Sequence, residues 1–262
     1  MKVEIRRSRA TFPAIALSFL ITFLMILAMA RAVSRRVAVR EAAFAPPAPE
    51  TGEITISGGE YAFVSLGAYE RAEEARLTAA RLVYRGSAGY LYRDGGETLV
   101  FGNAYATKDA AEKAASRLKS EGIPASVVYL RAPDLPVRLT ATRTQSEALL
   151  NIWESLARGE AALCEISRRL DAGEIDASAA RAQLLVVAYE SEAAADEFSA
   201  AAKGSTDALI CGVRTLSDRF VESLSALASG GDRALYLSSR VKHALISSAV
   251  DRLSFLNAAG NP

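Results

Sequence analysis

Three hydrophobic patterns follow one another along the chain, and each predicts a different kind of element. From Ala10 to Ala30 the apolar positions form one run, rich in Leu, Ile, Phe and Met and free of charge. It has about the 20 residues that a helix needs to cross ~30 Å of hydrocarbon, and so predicts a transmembrane helix over 10–30. From Tyr61 to Leu130, short strand-like runs trade places with segments whose apolar residues recur every three or four positions. From Gln145 onward only the helical spacing remains.

The middle region is a repeat. In its first half Tyr61-Ala62-Phe63-Val64-Ser65-Leu66 reads as a strand that ends in Gly67-Ala68-Tyr69. A helix with Ala72, Ala75, Ala79, Leu82 and Val83 on one side follows, and after Gly86 the run Gly89-Tyr90-Leu91-Tyr92 makes a second strand. The second half starts at Thr98-Leu99-Val100-Phe101, runs through Gly102-Asn103-Ala104-Tyr105 and enters a helix at Thr107, a good N-cap. Gly122 ends that helix, and Ala125 to Leu130 closes as a strand. Asp94-Gly95-Gly96 between the halves is a hairpin signal. The order β-α-β-β-α-β predicts a four-stranded sheet with both helices on one face, a ferredoxin-like split arrangement.

Alternation along each strand then sorts the side chains. With Val64 and Leu66 under the helices, Tyr61, Phe63 and Ser65 point to the other face; Leu91 inward sends Tyr90 and Tyr92 outward; Leu99 and Phe101 inward send Thr98 and Val100 outward. The expected helix-free face carries four aromatic rings beside small polar groups. Such a face suits carbohydrate, whose C–H faces stack on rings while its hydroxyl and acetamido groups seek hydrogen-bond partners. A face of this kind equally suits packing against the C-terminal helices, and the residues alone do not choose.

The last region predicts four amphipathic helices. The first, from about Gln145 to Leu170, carries Leu149, Ile152, Leu156, Leu163, Ile166 and Leu170, interrupted by Gly159; the second, Asp176 to Ala202, carries Leu184, Val187, Ala194 and Phe198. The third, Ser205 to Ala228, carries Leu209, Val213, Leu216, Phe220, Leu224 and Leu227. Asp232 is placed to cap a fourth with Leu237, Val241, Leu245, Leu253 and Leu256. Short joints favour an antiparallel bundle over 144–262, with a dimerising coiled coil as the other arrangement the alanine-rich stripes allow. The whole is thus an α+β chain. A tail over 1–9 precedes the apolar run, a Pro-containing linker covers 31–58, the doubled unit covers 59–131, and a Pro-punctuated joint covers 132–143.

Charge adds little direction. Lys and Arg number 31 against 30 Asp and Glu, so no steering field for nucleic acid is present. The apolar run has Lys2, Arg6, Arg7 and Arg9 before it and Arg31, Arg35, Arg36 and Arg40 after it, which leaves orientation open on charge alone. With the N-terminus inside, the C-terminal domains are extracytoplasmic and the protein is a single-pass protein of the cell membrane. Ala28-Met29-Ala30 also has the form of a cleavage site, but the run is longer than a signal peptide's apolar core, so the anchor is the preferred reading. Cys164 and Cys211 lack zinc-ligand spacing; they read as small buried hydrophobes, with a bridge left open. His243 reads as an ordinary helix residue, and the acidic residues of the helices as a solvated face. No metal, cofactor or catalytic constellation is implied.

The middle region resembles the SPOR (sporulation-related repeat) family. Phe63-Val64-Ser65-Leu66-Gly67-Ala68-Tyr69, with Glu74-Ala75 in the following helix, is similar to that family's opening strand and helix. Leu99-Val100-Phe101-Gly102-Asn103-Ala104-Tyr105 is similar to its second strand motif, followed by the helix ending Leu118-Lys119-Ser120-Glu121-Gly122. The resemblance implies a non-enzymatic domain that binds peptidoglycan, favouring glycan strands stripped of stem peptides, and so a bacterial protein of division or sporulation. Tyr61, Phe63, Ser65, Tyr90, Tyr92, Thr98 and Val100 are the expected glycan contacts. Ser65 replaces the family's glutamine, and Gly96-Glu97-Thr98 replaces an expected tryptophan or arginine; both departures imply weaker binding or an altered ligand. The C-terminal half resembles no family, and its expected role is docking or spacing for division or sporulation partners. The alternative for the whole chain is a structural or protein-binding adaptor whose helices recruit envelope partners.

Overall fold

The computed structural model describes residues 49–230 and 233–260. The expected tail, transmembrane helix, most of the 31–58 linker and the Asp232 cap lie outside them. No helix among the described residues is long and apolar enough to cross a membrane.

The doubled unit forms as the pattern expects. Strands β2 (Gly59–Tyr69), β3 (Tyr90–Asp94), β4 (Glu97–Tyr105) and β5 (Ser126–Ala132) build one antiparallel sheet in the order β3-β4-β2-β5. Helices α1 (Ala72–Val83) and α2 (Lys108–Ser120) pack on one face of it. Thr107 caps α2, its hydroxyl accepting from the Ala110 amide. The helix face of the sheet is aliphatic: Ala62, Val64 and Leu66 meet Ala111 and Ala115 of α2, and Val100 meets Ala75 and Ala79 of α1. Alanine on both helices lets them sit close to the sheet.

The residues read as connectors on either side are not connectors. Glu50–Ile56 is a strand, β1, and Leu135–Ala141 is a strand, β6; the two pair antiparallel with each other, Glu50 opposite Ala141 and Ile56 opposite Leu135. Their alternation supplies the cause, since Ile56, Leu139 and Ala141 are buried while Thr51, Glu53 and Arg138 face water. Pro136 is tolerated because a two-stranded ribbon leaves one side of each strand without a ladder partner.

Four helices follow: α3 (Arg143–Asp171), α4 (Ala177–Ala201), α5 (Ala208–Ser229) and α6 (Ala234–Gly260). A capping box starts α3, where the Thr142 hydroxyl accepts from the Gln145 amide and the Gln145 side chain accepts from the Thr142 amide. Asp176 and Asp207 cap α4 and α5. Each helix packs on the next and α6 returns to α3, which closes a four-helix bundle around Leu149, Leu156, Leu163, Leu184, Val213, Phe220, Leu224 and Leu245. Gly159 is the hole into which Phe220 fits, for a Cβ there would lie 2.5 Å from the ring. Cys164 and Cys211 are both free.

Candidate functional site

The second face of the sheet decides what the molecule can present. Pairing of β3 with β4 sets Tyr90 opposite Phe101 and Tyr92 opposite Leu99, and residues paired in this way share a face. Tyr61, Phe63, Phe101 and Tyr92 form a ladder of rings across the strands, with centroids 6.2, 4.9 and 5.1 Å apart in succession. This face is therefore aromatic, as the alternation expected of β2 and β3.

It is not open. Helix α6 lies across it and α3 stands behind, so that Tyr61, Phe63 and Phe101 share one continuous core with Trp153, Leu237, Val241 and Leu245. Phe63 is fully buried, Tyr61 nearly so, and Tyr90 and Tyr92 are half-buried. Ser65 is also buried, at an irregularity in the β2–β4 pairing, where its hydroxyl donates to the Gly67 carbonyl. Thr98 and Val100 correct the expected phase of β4: Val100 packs beneath α1 on the helix face, while Leu99 and Phe101 take the opposite face. The tight Gly95-Gly96 turn is the physical reason, because it pairs Asp94 with Glu97 and so forces Leu99 and Phe101 onto the side of Tyr92 and Tyr90. The seven expected contact residues thus do not make an open platform, since apolar burial against the bundle outcompetes exposure of the rings.

Polar groups fix the cover in place. Glu160 on α3 is completely buried, and Arg252 of α6 donates to both its oxygens through Nε at 3.1 Å and to Oε2 through Nη2 at 2.8 Å. The Tyr61 hydroxyl donates to Glu160 Oε2 at 2.9 Å and the Ser248 hydroxyl to Oε1 at 2.8 Å. Burial, reinforced by the Glu160 charge, pushes the Tyr61 phenol well above its ordinary value. Burial works against the Arg252 charge, yet Glu160 beside it outweighs burial and holds the guanidinium proton more tightly. Arg252 also lies 5.6 Å over the Trp153 ring, whose indole N–H donates to the Ser57 carbonyl. Further along α6, Lys242 donates to the Gly86 carbonyl and pairs with Asp171 at 2.8 Å; Ser239 donates to the Ser87 carbonyl, and His243 sits against the Ala88 carbonyl and the Tyr90 ring. Helix position could have flagged these groups. Glu160 lies on the stripe of Trp153, Leu156 and Leu163, and Arg252 on that of Leu245, Ala249 and Leu256, so each is a charge written into an apolar seam.

An open cleft lies at the doubled unit, between the α2 side of the sheet and the ends of α3 and α6. It has two connected chambers of about 470 and 580 Å³, which share Asn103, Tyr105, Ala114, Arg117 and Asp171. Volumes of this size are those of ordinary ligand pockets. Burial pushes the Tyr105 phenol up, against the opposing hydrogen bond from Asn103, whose own side-chain oxygen accepts from the Ala104 amide. Burial likewise raises the Cys164 thiol on the far wall. Sequence reasoning missed this site; its one visible signal was the polar exit of the strand at Asn103 and Tyr105. Among the described residues no group of three or more His, Cys, Asp or Glu is placed to hold a metal ion.

Residues 58–129, the sheet with its two helices, match the family model of the SPOR domain. No curated protein and no solved structure matches the chain.

Proposed function

We propose that this chain, which carries a SPOR domain at residues 58–129, is a non-enzymatic, membrane-anchored protein that binds peptidoglycan glycan strands in cell division or sporulation. The observation that carries the reading is the coincidence of the family match with a complete βαββαβ sheet. SPOR domains bind peptidoglycan and are not catalytic. The apolar run at 10–30 supports the anchor, and with the N-terminus inside, the domain stands on the outer side of the membrane. Co-sedimentation of the purified full chain with sacculi, intact or amidase-treated, tests the function. Enrichment on the amidase-treated sacculi is expected; no enrichment on either removes the peptidoglycan reading.

A second reading has an observation of its own. The covering of the aromatic face by α3 and α6 favours a structural or protein-binding adaptor, because one core joins the SPOR sheet to the bundle. That adaptor reading gains if the full chain ignores sacculi yet cross-links to envelope proteins in living cells.

A further inference from the structure

The aromatic face is an unfavourable place for glycan to enter. Withdrawing α6 would return Tyr61, Phe63, Leu99 and Phe101 to water together with the helix's own leucines. Burial of four large apolar side chains and the leucines over them outweighs what stacking of the same rings on a sugar returns. A ligand that gains less than it must displace shifts little.

The cleft needs no such opening. Its two carboxylates are already engaged, Glu165 by Arg168 and Asp171 by Lys242, and Arg168 is further held by Glu174. Arg85 in one chamber and Lys113 in the other make no ion pair among the described residues, and both are exposed. The Tyr105 ring and the Asn103 amide line both chambers, and the chamber of Arg85 also holds the Ser87 hydroxyl, a buried oxygen with no hydrogen-bond partner among the described residues. The site is thus two-chambered, walled largely by apolar carbon, supplied with hydroxyl and amide partners, and given an exposed cation without an ion-pair partner among the described residues in each chamber.

We propose that this cleft, and not the aromatic face, is where the chain takes a carboxylate-bearing amino-sugar strand. Arg85 and Lys113 receive the acid groups, and Tyr105 and Asn103 lie along the sugars between them. The lactyl carboxylates of a strand stripped of its stem peptides are acids of this kind, spaced along the polymer. The inference rests on the peptidoglycan reading and deepens it.

The test uses the purified full chain as wild type and as the double variant Arg85→Glu with Lys113→Glu. The probes are sacculi freed of phosphate polymers by hydrofluoric acid and then treated with amidase, and the same sacculi after carbodiimide amidation of their carboxyl groups. Wild type is expected to bind the first probe. Both the double variant and the amidated probe are expected to weaken binding by roughly tenfold or more, the loss of one or two charge-assisted contacts. An unchanged thermal melt of the variant shows that the loss is not unfolding. If the double variant binds like wild type, the cleft is overturned; if amidation leaves binding intact, or if binding requires the phosphate polymers, the acid-sugar assignment is overturned. Wild type that binds no sacculus at all removes the peptidoglycan reading, and this inference with it.

Discussion

The two faces of the four-stranded sheet are both covered by helices, but by different physics. The α1 and α2 side is a shallow contact of Ala62, Val64 and Val100 with alanines, made within the doubled unit. The α6 side is a ladder of rings meeting a helix from the far end of the chain, pinned by a buried ion pair. Large flat side chains on a sheet mark a contact that must be held across a long chain separation as readily as they mark a ligand face. What separates the two cases is the partner's charge pattern, here Glu160 and Arg252 on apolar stripes.

The contrast breaks most severely at the ion pair. Glu160→Ala leaves Arg252 charged in the core and strips Tyr61 and Ser248 of their acceptor, so a loss near 5 kcal/mol is expected by denaturant titration. Arg252→Ala should cost about as much, and the double variant less than the sum, because each single change strands the other partner. Next comes a direct pairing of faces on one strand: Phe101→Ala is expected to cost about 4 kcal/mol and its neighbour Val100→Ala roughly 2 kcal/mol. Equal losses would mean the ring face is no better filled than the helix face.

A smaller change sharpens the account through pH. Folding raises the Tyr61 phenol above its unfolded value of 10.0, so its contribution is complete below that pH and is lost as pH climbs toward the folded value. Tyr61→Phe should cost about 1–2 kcal/mol at neutral pH and flatten the alkaline fall in stability, as followed by thermal melts above pH 10. Smallest of all, Lys113→Glu on exposed α2 should move stability by no more than about 0.5 kcal/mol, in contrast to its expected effect on glycan binding.

Much of this architecture was legible in the residues. The doubled unit, its turn, the Thr107 cap and four helices with their apolar stripes follow from periodicity and local capping alone. The phase of β4 was equally legible, because the Gly95-Gly96 turn fixes which residues oppose Tyr90 and Tyr92; alternation read strand by strand missed it. Strands β1 and β6 were hidden by prolines and by a separation of some eighty residues, which no local pattern bridges. The covering of the ring face was not legible either, since Tyr61 and Phe63 carry the same pattern beneath sugar as beneath a helix. Nor was the cleft, whose walls come from α2, α3 and α6.

Hydroxyl-radical footprinting of the full chain, read by mass spectrometry at Tyr61, Phe63 and Phe101, tests the permanence of the cover most directly. Low oxidation of these rings is expected in the free protein and equally in the presence of amidase-treated glycan strands, with Tyr105 gaining protection when the strands are added. Rings that are readily oxidised in the free protein and become protected by glycan would contradict it, and would return the sheet face to the role of binding surface.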